Sequence, residues 1–389
     1  MTGDDRLPFL RQIIADPDDD DHRLVYADWL EEHGDRRGEF IRAQCEYDRT
    51  MPHTKANVRA FDAARDLFQR HGSEWLRELG HDSLRDYEFR RGFVSKLEMT
   101  ANTFLEHGER ILSSTPLDCI RLPYLSGKLN QLIESGLMLR LRGIDLCGLK
   151  LSARRVKRIL DSTPRLRRLL LRYAPYALDA YVAEAIMGSP SGELIEELSI
   201  DGSAVDPEFF QKLAFAGGLR RLKSLRIGSE QFGVRDGDQF EQWQLPDLEE
   251  LCVSGNLRVA EMTMLAKRVG LKQIKIGYGA LPAKGLRMMI DSGAFAAAER
   301  IELQRCNLSE RAGIALLASD LSACRHLNLA GNQRLSDACW IALMENETAG
   351  KVESLVAAEG TFSRSMFEEV GKWTQLHPLT ENDQLPGGS

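Results

Sequence analysis

Apolar residues recur in a short alternating unit along most of the chain. The unit is L-x-x-L-x-L, and it occurs eleven times at intervals of 23 to 29 residues. An apolar residue at every second position predicts a short strand with one buried face. Because the units keep one phase, we expect eleven strands in register. The units end at Met99, Leu122, Leu146, Leu171, Ile200, Ile227, Val253, Ile276, Leu303, Leu329 and Ala357.

Helical patterns fill the intervals between these strands. Ser152, Ser309, Ser336 and Asp206 each precede an apolar pattern of helical period, and serine and aspartate favour the N-cap position. A second recurring position lies three residues past the last apolar residue of a unit. Asn256, Cys306 and Asn332 occupy it, and we expect their side chains to be buried and to bond the backbone of the turn.

A strand and a helix in each unit resemble the leucine-rich repeats of the ribonuclease-inhibitor type, over about residues 92–370. This resemblance implies an α/β leucine-rich-repeat solenoid shaped like a horseshoe. Its parallel sheet would line the concave side, and its helices would lie on the convex side.

The N-terminal segment has a different pattern. Apolar positions predict three short helices within residues 5–48, the second with the run Asp18–Asp21 at its N-terminus. The string from Pro17 to Arg42, centred on Tyr26-Ala-Asp-Trp-Leu-Glu-Glu32, resembles the bacterial repeat-companion domain, a module found in planctomycetes and myxobacteria, often ahead of leucine-rich repeats. The resemblance implies a small all-α N-terminal module, and the family has no established biochemical activity.

These patterns divide the chain into four parts. We predict a helical repeat-companion domain at 1–48, a helical cap or bridge at 49–91, a solenoid of about eleven units at 92–376, and a flexible tail at 377–389. A cap is expected because an open solenoid end exposes core residues and unpaired strand edges.

Charge and composition narrow the function classes. Residues 1–48 carry 14 acidic and 6 basic side chains, a net charge of −8, against −7 for the whole chain. This balance argues against nucleic acid as the partner, because phosphate binding needs a basic surface. The acidic N-terminus lacks the pattern of a signal peptide, no apolar run is long enough for a membrane span, and seven cysteines form no C-x-x-C pair. We therefore expect a cytoplasmic protein with free thiols.

Catalytic motifs are absent from the sequence. No P-loop, G-x-G-x-x-G, H-E-x-x-H or G-x-S-x-G occurs, so we expect no enzyme, no cofactor and no metal. Asp18–Asp21 with His22 form an acidic cluster, but consecutive helical side chains point in different directions, which favours a solvated helix cap over a cation site.

Two surfaces are candidates for binding a protein. Asp28, Glu31, Glu32 and Asp35 share one side of the second helix, which indicates either an acidic docking face or a solubilising surface; Asp28 is also placed to pair with Arg37 or Arg42.

The other candidate is the concave face, where tyrosine and arginine, the residue types enriched in binding hot spots, recur. We single out Arg167, Arg168, Arg172 and Tyr173 as one basic cluster fit for an acidic element. The predicted concave-face residues are Tyr124, Arg172, Tyr173, Arg226, Lys275, Tyr278, Glu302 and Arg305.

The sequence thus predicts a monomeric, non-enzymatic scaffold that binds a protein on the concave face of a solenoid. The alternative is an inhibitor or immunity-type regulator that blocks the active site of a partner enzyme, with tight, salt-sensitive binding. A hydrolase that uses the carboxylates of residues 16–39 is a third hypothesis, and it requires a divalent metal.

Overall fold

The computed structural model describes residues 5–79, 86–123, 125–206, 208–209, 212–213, 219–228, 245–255 and 270–379. The chain forms two compact units. Unit 1 comprises Met1–Thr50, Lys55–Tyr176 and Gly188–Glu196, and unit 2 comprises Met51–Thr54, Ala177–Met187 and Glu197–Ser389.

Unit 1 combines helices with a mostly parallel sheet. Its strands pair in chain order, β1 with β2 antiparallel and β2 to β5 parallel. The helices are α1 Leu7–Ala15, α2 Asp20–Glu32, α3 Arg37–Arg49, α4 Lys55–Arg77, α5 Ala101–Ser114, α6 Leu129–Glu134 and α7 Ala153–Asp161. The strands are β1 Asp86–Arg90, β2 Phe93–Glu98, β3 Cys119–Arg121, β4 Gly143–Asp145 and β5 Arg168–Arg172. Single 3₁₀ turns lie at Leu125–Gly127, Leu137–Arg140 and Gly192–Leu194.

Unit 2 repeats the alternation of strand and helix. Its strands β6 to β13 pair in parallel and in chain order. The strands are β6 Glu197–Asp201, β7 Ser224–Gly228, β8 Glu250–Ser254, β9 Gln273–Gly277, β10 Arg300–Gln304, β11 His326–Asn328, β12 Ser354–Ala358 and β13 Gln375–Leu379. The helices are α8 Ala180–Met187, α9 Ala283–Asp291, α10 Glu310–Leu317, α11 Asp337–Met344 and α12 Arg364–Trp373, with 3₁₀ turns at Glu347–Ala349 and Glu359–Thr361.

The strand register follows the apolar phase. In unit 1 the central apolar residues Leu97, Ile120, Ile144 and Leu169 are successive partners. In unit 2 the series is Leu198, Leu225, Leu251, Ile274, Ile301, Leu327 and Leu355. These side chains are buried, so the predicted positions and phase of all eleven strands are confirmed.

Helix starts and turns also follow the predicted signals. Ser152 caps α7 and Ser309 caps α10 through their hydroxyl oxygens, whereas Ser336 precedes α11 without a side-chain cap bond. Asn332 is fully buried, and its Nδ2 donates to the carbonyl oxygens of Leu303 and Leu329 at 2.6 and 2.8 Å. Asn256 lies outside the described residues.

The N-terminal helices and the first strands share one core. Ile13, Tyr26, Leu30 and Ile41 pack around Phe93, the first residue of β2. Asp19 is the N-cap of α2 and accepts a hydrogen bond from the backbone N–H of Asp21 at 2.8 Å, as the acidic run predicts. The N-terminal helices α1–α4 therefore lie in the same compact unit as β1–β5.

Two predicted segments differ from the structure. The bridge at 49–91 is not wholly helical, because Asp86–Arg90 forms β1, an antiparallel hairpin with β2. The turn of this hairpin is Arg91-Gly92, where both residues have positive φ, as in the type I′ turns that two-residue hairpins favour. The tail predicted to begin at 377 starts too early, because Gln375–Leu379 pairs along the edge of β12 and satisfies its backbone groups.

Candidate partner-binding surfaces

A ladder of alternating charges lies on the outward face of the unit 1 sheet, the face whose side chains alternate with the buried leucines. Arg121 donates to Glu98 Oε2 at 2.8 Å and to Asp145 Oδ2 at 3.0 Å. Arg172 also donates to Asp145, which is buried. Burial alone lowers the pKa of Arg121, but its hydrogen bonds to Glu98 and Asp145 outweigh that effect and raise it. This face is therefore largely satisfied by its own ion pairs.

The four residues predicted as one basic cluster lie at opposite ends of a single strand, with Arg167 and Arg168 at the start of β5 and Arg172 and Tyr173 at its end. Arg172 joins the ladder at the end of β5, and Arg168 pairs with Asp118 at 3.1 Å. Arg167 precedes β5 and pairs with Glu196 at 3.3 Å. Arg167 and Arg172 are separated by the length of a strand, roughly 16 Å at 3.3 Å per residue. The single-cluster prediction is wrong for that reason.

In unit 2, the predicted residues Arg226, Lys275 and Glu302 lie on one outward face. The strand register places Cys252 between Arg226 and Lys275, and Lys275 Nζ lies 3.2 Å from Glu302 Oε2. Burial raises the pKa of Cys252, although both cations oppose the shift. Arg226 is exposed to solvent, whereas Glu302 is mostly buried and also accepts a hydrogen bond from Gln304 Nε2 at 2.9 Å.

Part of that outward face is not open to a partner. On β10 and β11 the side chains of Gln304, His326 and Asn328 are buried, although they belong to the outward set. The ring of His53, from Met51–Thr54 of the same unit, stacks on His326 with centroids 5.9 Å apart. Burial lowers the pKa of His53, and the charge of Glu302 opposes that shift. Glu302 is therefore largely covered, and only 13% of its side chain is exposed.

The residues just beyond the strands are better exposed and share an unusual backbone conformation. The second residue after the last apolar residue of a unit has positive φ at seven described positions, of which four are glycine: Gly148, Gly202, Gly255 and Gly331. The other three are Tyr173, Tyr278 and Arg305, with φ of 50°, 61° and 51°. Tyr124 holds the same place in its unit and lies outside the described residues.

Left-handed backbone is costly for side chains other than glycine, by roughly 1 kcal/mol or more per residue. Tyr173 and Tyr278 are 57% and 59% exposed, so core packing does not account for them. In unit 2, the guanidinium of Arg305 lies 5.8 Å from the centre of the Tyr278 ring, within cation–π range. Arg305 is also exposed. Tyr278 and Arg305 thus form a solvent-exposed pair of an aromatic and a cationic side chain on neighbouring repeats of unit 2.

The acidic face of α2 is engaged within unit 1. Arg42 pairs with Asp28 and, at 3.0 Å, with Glu31. Asp35 pairs with Arg6 at 2.8 Å and accepts a hydrogen bond from the backbone N–H of Arg37 at 2.9 Å. Of the two partners considered for Asp28, the structure has Arg42. Glu32 is exposed.

Asp18 and Asp20, at the N-terminal end of α2, also have basic partners. Asp20 lies 3.1 Å from Arg91, and Asp18 lies 3.7 Å from both Arg91 and Arg142. Across the described ranges, no group of three or more His, Cys, Asp and Glu side chains is arranged to hold a metal ion. All seven cysteines are free. Of the helices described, none has the length and apolar character to cross a bilayer.

Comparison with known proteins yields likeness in structure only. No protein-family profile and no curated protein sequence matches the chain. A chain of the yeast Rad7 and Elc1 complex is 14% identical, with a TM-score of 0.47, over 75% of this chain and 83% of that chain. A protein from Bacteroides fragilis is 12% identical, with a TM-score of 0.35, over 85% of each chain. Any function must therefore be argued from the residues of this chain.

Proposed function

We propose that this chain is a cytoplasmic bacterial repeat-companion protein with a leucine-rich-repeat solenoid, and that it binds a protein partner without catalysing a reaction. The contact surface is the row of residues just beyond the strands, centred on Tyr278 and Arg305. Tyr173 belongs to the equivalent position in unit 1. This assignment differs from the sequence-based one, which gave equal weight to the face of the strands themselves.

The observation that carries the proposal is the retention of bulky side chains at a position suited to glycine. Four of the seven described positions with this backbone hold glycine, whereas Tyr173, Tyr278 and Arg305 remain exposed despite the strain. Strained residues cluster at functional sites, because selection for stability alone would remove them. Tyrosine and arginine are also the residue types that dominate binding hot spots.

The remaining outward face supplies less free surface. In unit 1 the ladder of Glu98, Arg121, Asp145 and Arg172 satisfies its own charges. In unit 2, His326 and Asn328 are buried. A partner that pairs with Arg172 or Glu302 would first have to displace existing ion pairs. The loss of those pairs and the desolvation of the charged groups offset much of the binding energy gained from the new contact.

The test is affinity capture from the native cytosol with three forms of the full chain. These are wild type, the double variant Tyr278→Gly/Arg305→Gly, and a control, Tyr181→Ala, which removes an exposed tyrosine from α8. We expect one protein to be retained by wild type and by the control and lost from the double variant. Retention by all three forms would refute the assignment to Tyr278 and Arg305. An enzyme that is inhibited when captured would identify the chain as an inhibitor.

A further inference from the structure

Unit 1 contains a groove that the proposed function does not use. Its volume is about 870 Å³, within the range of natural binding pockets, and five of its lining residues are arginines. Asp16 is the one carboxylate among the lining residues. The arginines are Arg11, Arg140, Arg142, Arg165 and Arg167.

Four of these arginines are placed by the repeat itself. The sequence reads Arg140-Leu-Arg142 in one unit and Arg165-Leu-Arg167 in the next, each just before a strand. The backbone N–H of Arg167 donates to the carbonyl oxygen of Arg142 at 2.7 Å, which aligns these two neighbouring repeats of unit 1. Adjacent strands lie about 4.8 Å apart, so guanidinium groups at matched positions are close neighbours.

The groove has unbalanced positive charge. Arg140 pairs with Glu109 at 2.6 Å, Arg167 with Glu196 at 3.3 Å, and Arg142 with Asp18 at a longer 3.7 Å. Neither Arg11 nor Arg165 forms an ion pair with any described residue, and both are exposed. Burial lowers the pKa of Arg142, and the charge of Arg167 lowers it further. An anion between these side chains would relieve that repulsion.

The lining is apolar between the arginines. Leu7 and Ile14 of α1 face the groove from one side, and Leu112, Leu117 and Leu194 complete it. Leu112 and Leu117 are buried, whereas Leu7, Ile14 and Leu194 are partly exposed. An inorganic anion would contact the guanidinium groups and leave these three partly exposed side chains uncovered. Guanidinium groups bind carboxylates in a bidentate manner, and an apolar side chain of the same ligand would cover the leucines.

We propose that this groove binds an acidic peptide segment of a protein partner, one that carries an apolar side chain among its carboxylates. Arg11 and Arg165 supply the free guanidinium groups, Arg142 supplies a further cation, and the leucines receive the apolar side chain. The proposal is independent of Tyr278 and Arg305, which lie in unit 2.

The probe is a phage-displayed library of random peptides, selected on the immobilised full chain. Enriched peptides are then synthesised, and their dissociation constants are measured by fluorescence polarisation. We expect enriched peptides to share two or more Asp or Glu residues beside a Leu, Ile or Phe. Binding should weaken at least tenfold in Arg11→Glu/Arg165→Glu, and also as salt rises from about 0.05 to 0.3 M.

The matched control is Arg154→Glu/Arg221→Glu, which makes the same change in net charge at two exposed arginines outside the groove. It should bind the peptides as wild type does, and unchanged circular dichroism should show that both variants are folded. Enrichment of peptides without acidic residues, or equal binding by the two double variants, would overturn the proposal. So would inorganic pyrophosphate that binds the groove at micromolar concentration while no peptide does.

Discussion

At the scale of single residues, a buried asparagine bonds the backbone of the turns in two neighbouring repeats of unit 2. Asn332 Oδ1 accepts hydrogen bonds from the backbone N–H groups of Cys306 and Leu308 at 3.0 and 3.2 Å, and Nδ2 donates to two carbonyl oxygens. One side chain thus satisfies four buried backbone groups. The residues that carry these groups are buried, so losing the amide removes a hydrogen-bond partner from each group at a place where water does not replace it.

We expect Asn332→Ala to lower the free energy of unfolding by about 3 kcal/mol, because several buried polar groups lose their partners. Chemical denaturation followed by circular dichroism measures this change. Gln131→Ala, at an exposed site on α6, should change stability by less than about 0.5 kcal/mol. A loss below about 1 kcal/mol in Asn332→Ala would mean that the turn does not depend on these bonds.

Three buried thiols predict a loss of stability at alkaline pH. Burial raises the pKa of Cys45, Cys306 and Cys324 from 9.0 to about 12. In the unfolded chain these thiols ionise near pH 9, whereas in the folded chain they stay neutral until about pH 12. Their contribution is therefore complete below pH 9 and is lost as the pH rises towards 12, by on the order of 1 kcal/mol per thiol at pH 10.

The measurement is the urea midpoint as a function of pH, for wild type and for Cys45→Ala/Cys306→Ala/Cys324→Ala. The triple variant should lose less stability than wild type between about pH 9 and pH 11. Cys147→Ala, at a half-exposed thiol, is the control for removing a cysteine. Parallel pH curves for wild type and the triple variant would rule out this source of the pH dependence.

Tyr173, Tyr278 and Arg305 were predicted from the sequence because of their residue types. Their left-handed backbone conformation was not predicted. The position two residues past the last apolar residue holds glycine in four other repeats, and this alternation between glycine and bulky residues is visible in the sequence. The positive φ that gives the pattern its meaning requires the structure. Conversely, Glu302 was predicted as a contact residue, but it is mostly covered by its neighbours: Lys275 on the adjacent strand and Gln304 two positions along β10.

At the scale of elements, the β1–β2 hairpin joins the N-terminal helices to the sheet of unit 1. Its turn glycine, Gly92, has a φ of 86° and lies against Ile41 of α3. A Cβ at this position would overlap Cγ1 of Ile41. Backbone conformation and close packing therefore both require glycine here.

We expect Gly92→Ala to destabilise unit 1 by about 3 kcal/mol, through backbone strain and the clash together. Gly136→Ala is the matched control, because Gly136 has a φ of 73° but a Cβ added there would have no neighbouring atom within 4 Å; it should cost about 1 kcal/mol. Ile41→Ala should partly rescue Gly92→Ala in a double-mutant cycle. Equal costs at the two glycines would exclude a packing role for Gly92.

Element prediction succeeded where the apolar phase was long and failed where it was short. Eleven units in one phase located eleven strands, because each unit reinforces the others. β1 spans five residues, Asp86–Arg90, and contains only two aromatic residues in alternation, which is too little to distinguish a strand from the end of a helical bridge. The charge ladder and the arginine groove depend on neighbours some 25 positions apart, and the repeated Arg-Leu-Arg was the signal for the groove.

At the scale of the whole molecule, the N-terminal helices are part of the unit that contains the first repeats. Phe93 of β2 is fully buried among Tyr26, Leu30, Ile41 and their neighbours. The predicted boundary between a helical module and a separate repeat domain therefore cuts through a shared hydrophobic core. A chain without these helices exposes that core to water.

We expect a chain that starts at residue 92 to bind hydrophobic dyes and to aggregate on size-exclusion chromatography. A chain that ends at residue 379, which keeps every described residue, should remain monodisperse. Cooperative unfolding of a monomeric fragment that starts at residue 92 would show that the helices are dispensable for the fold of unit 1.

The most direct test of the central claim measures stability and binding together in Tyr278→Gly/Arg305→Gly. Glycine relieves backbone strain worth about 1 kcal/mol at each site, so the thermal midpoint should be equal to or above that of wild type. The dissociation constant for the captured partner, measured by calorimetry, should increase at least 100-fold, because two hot-spot side chains are gone. A folded double variant that binds the partner as tightly as wild type would contradict the account.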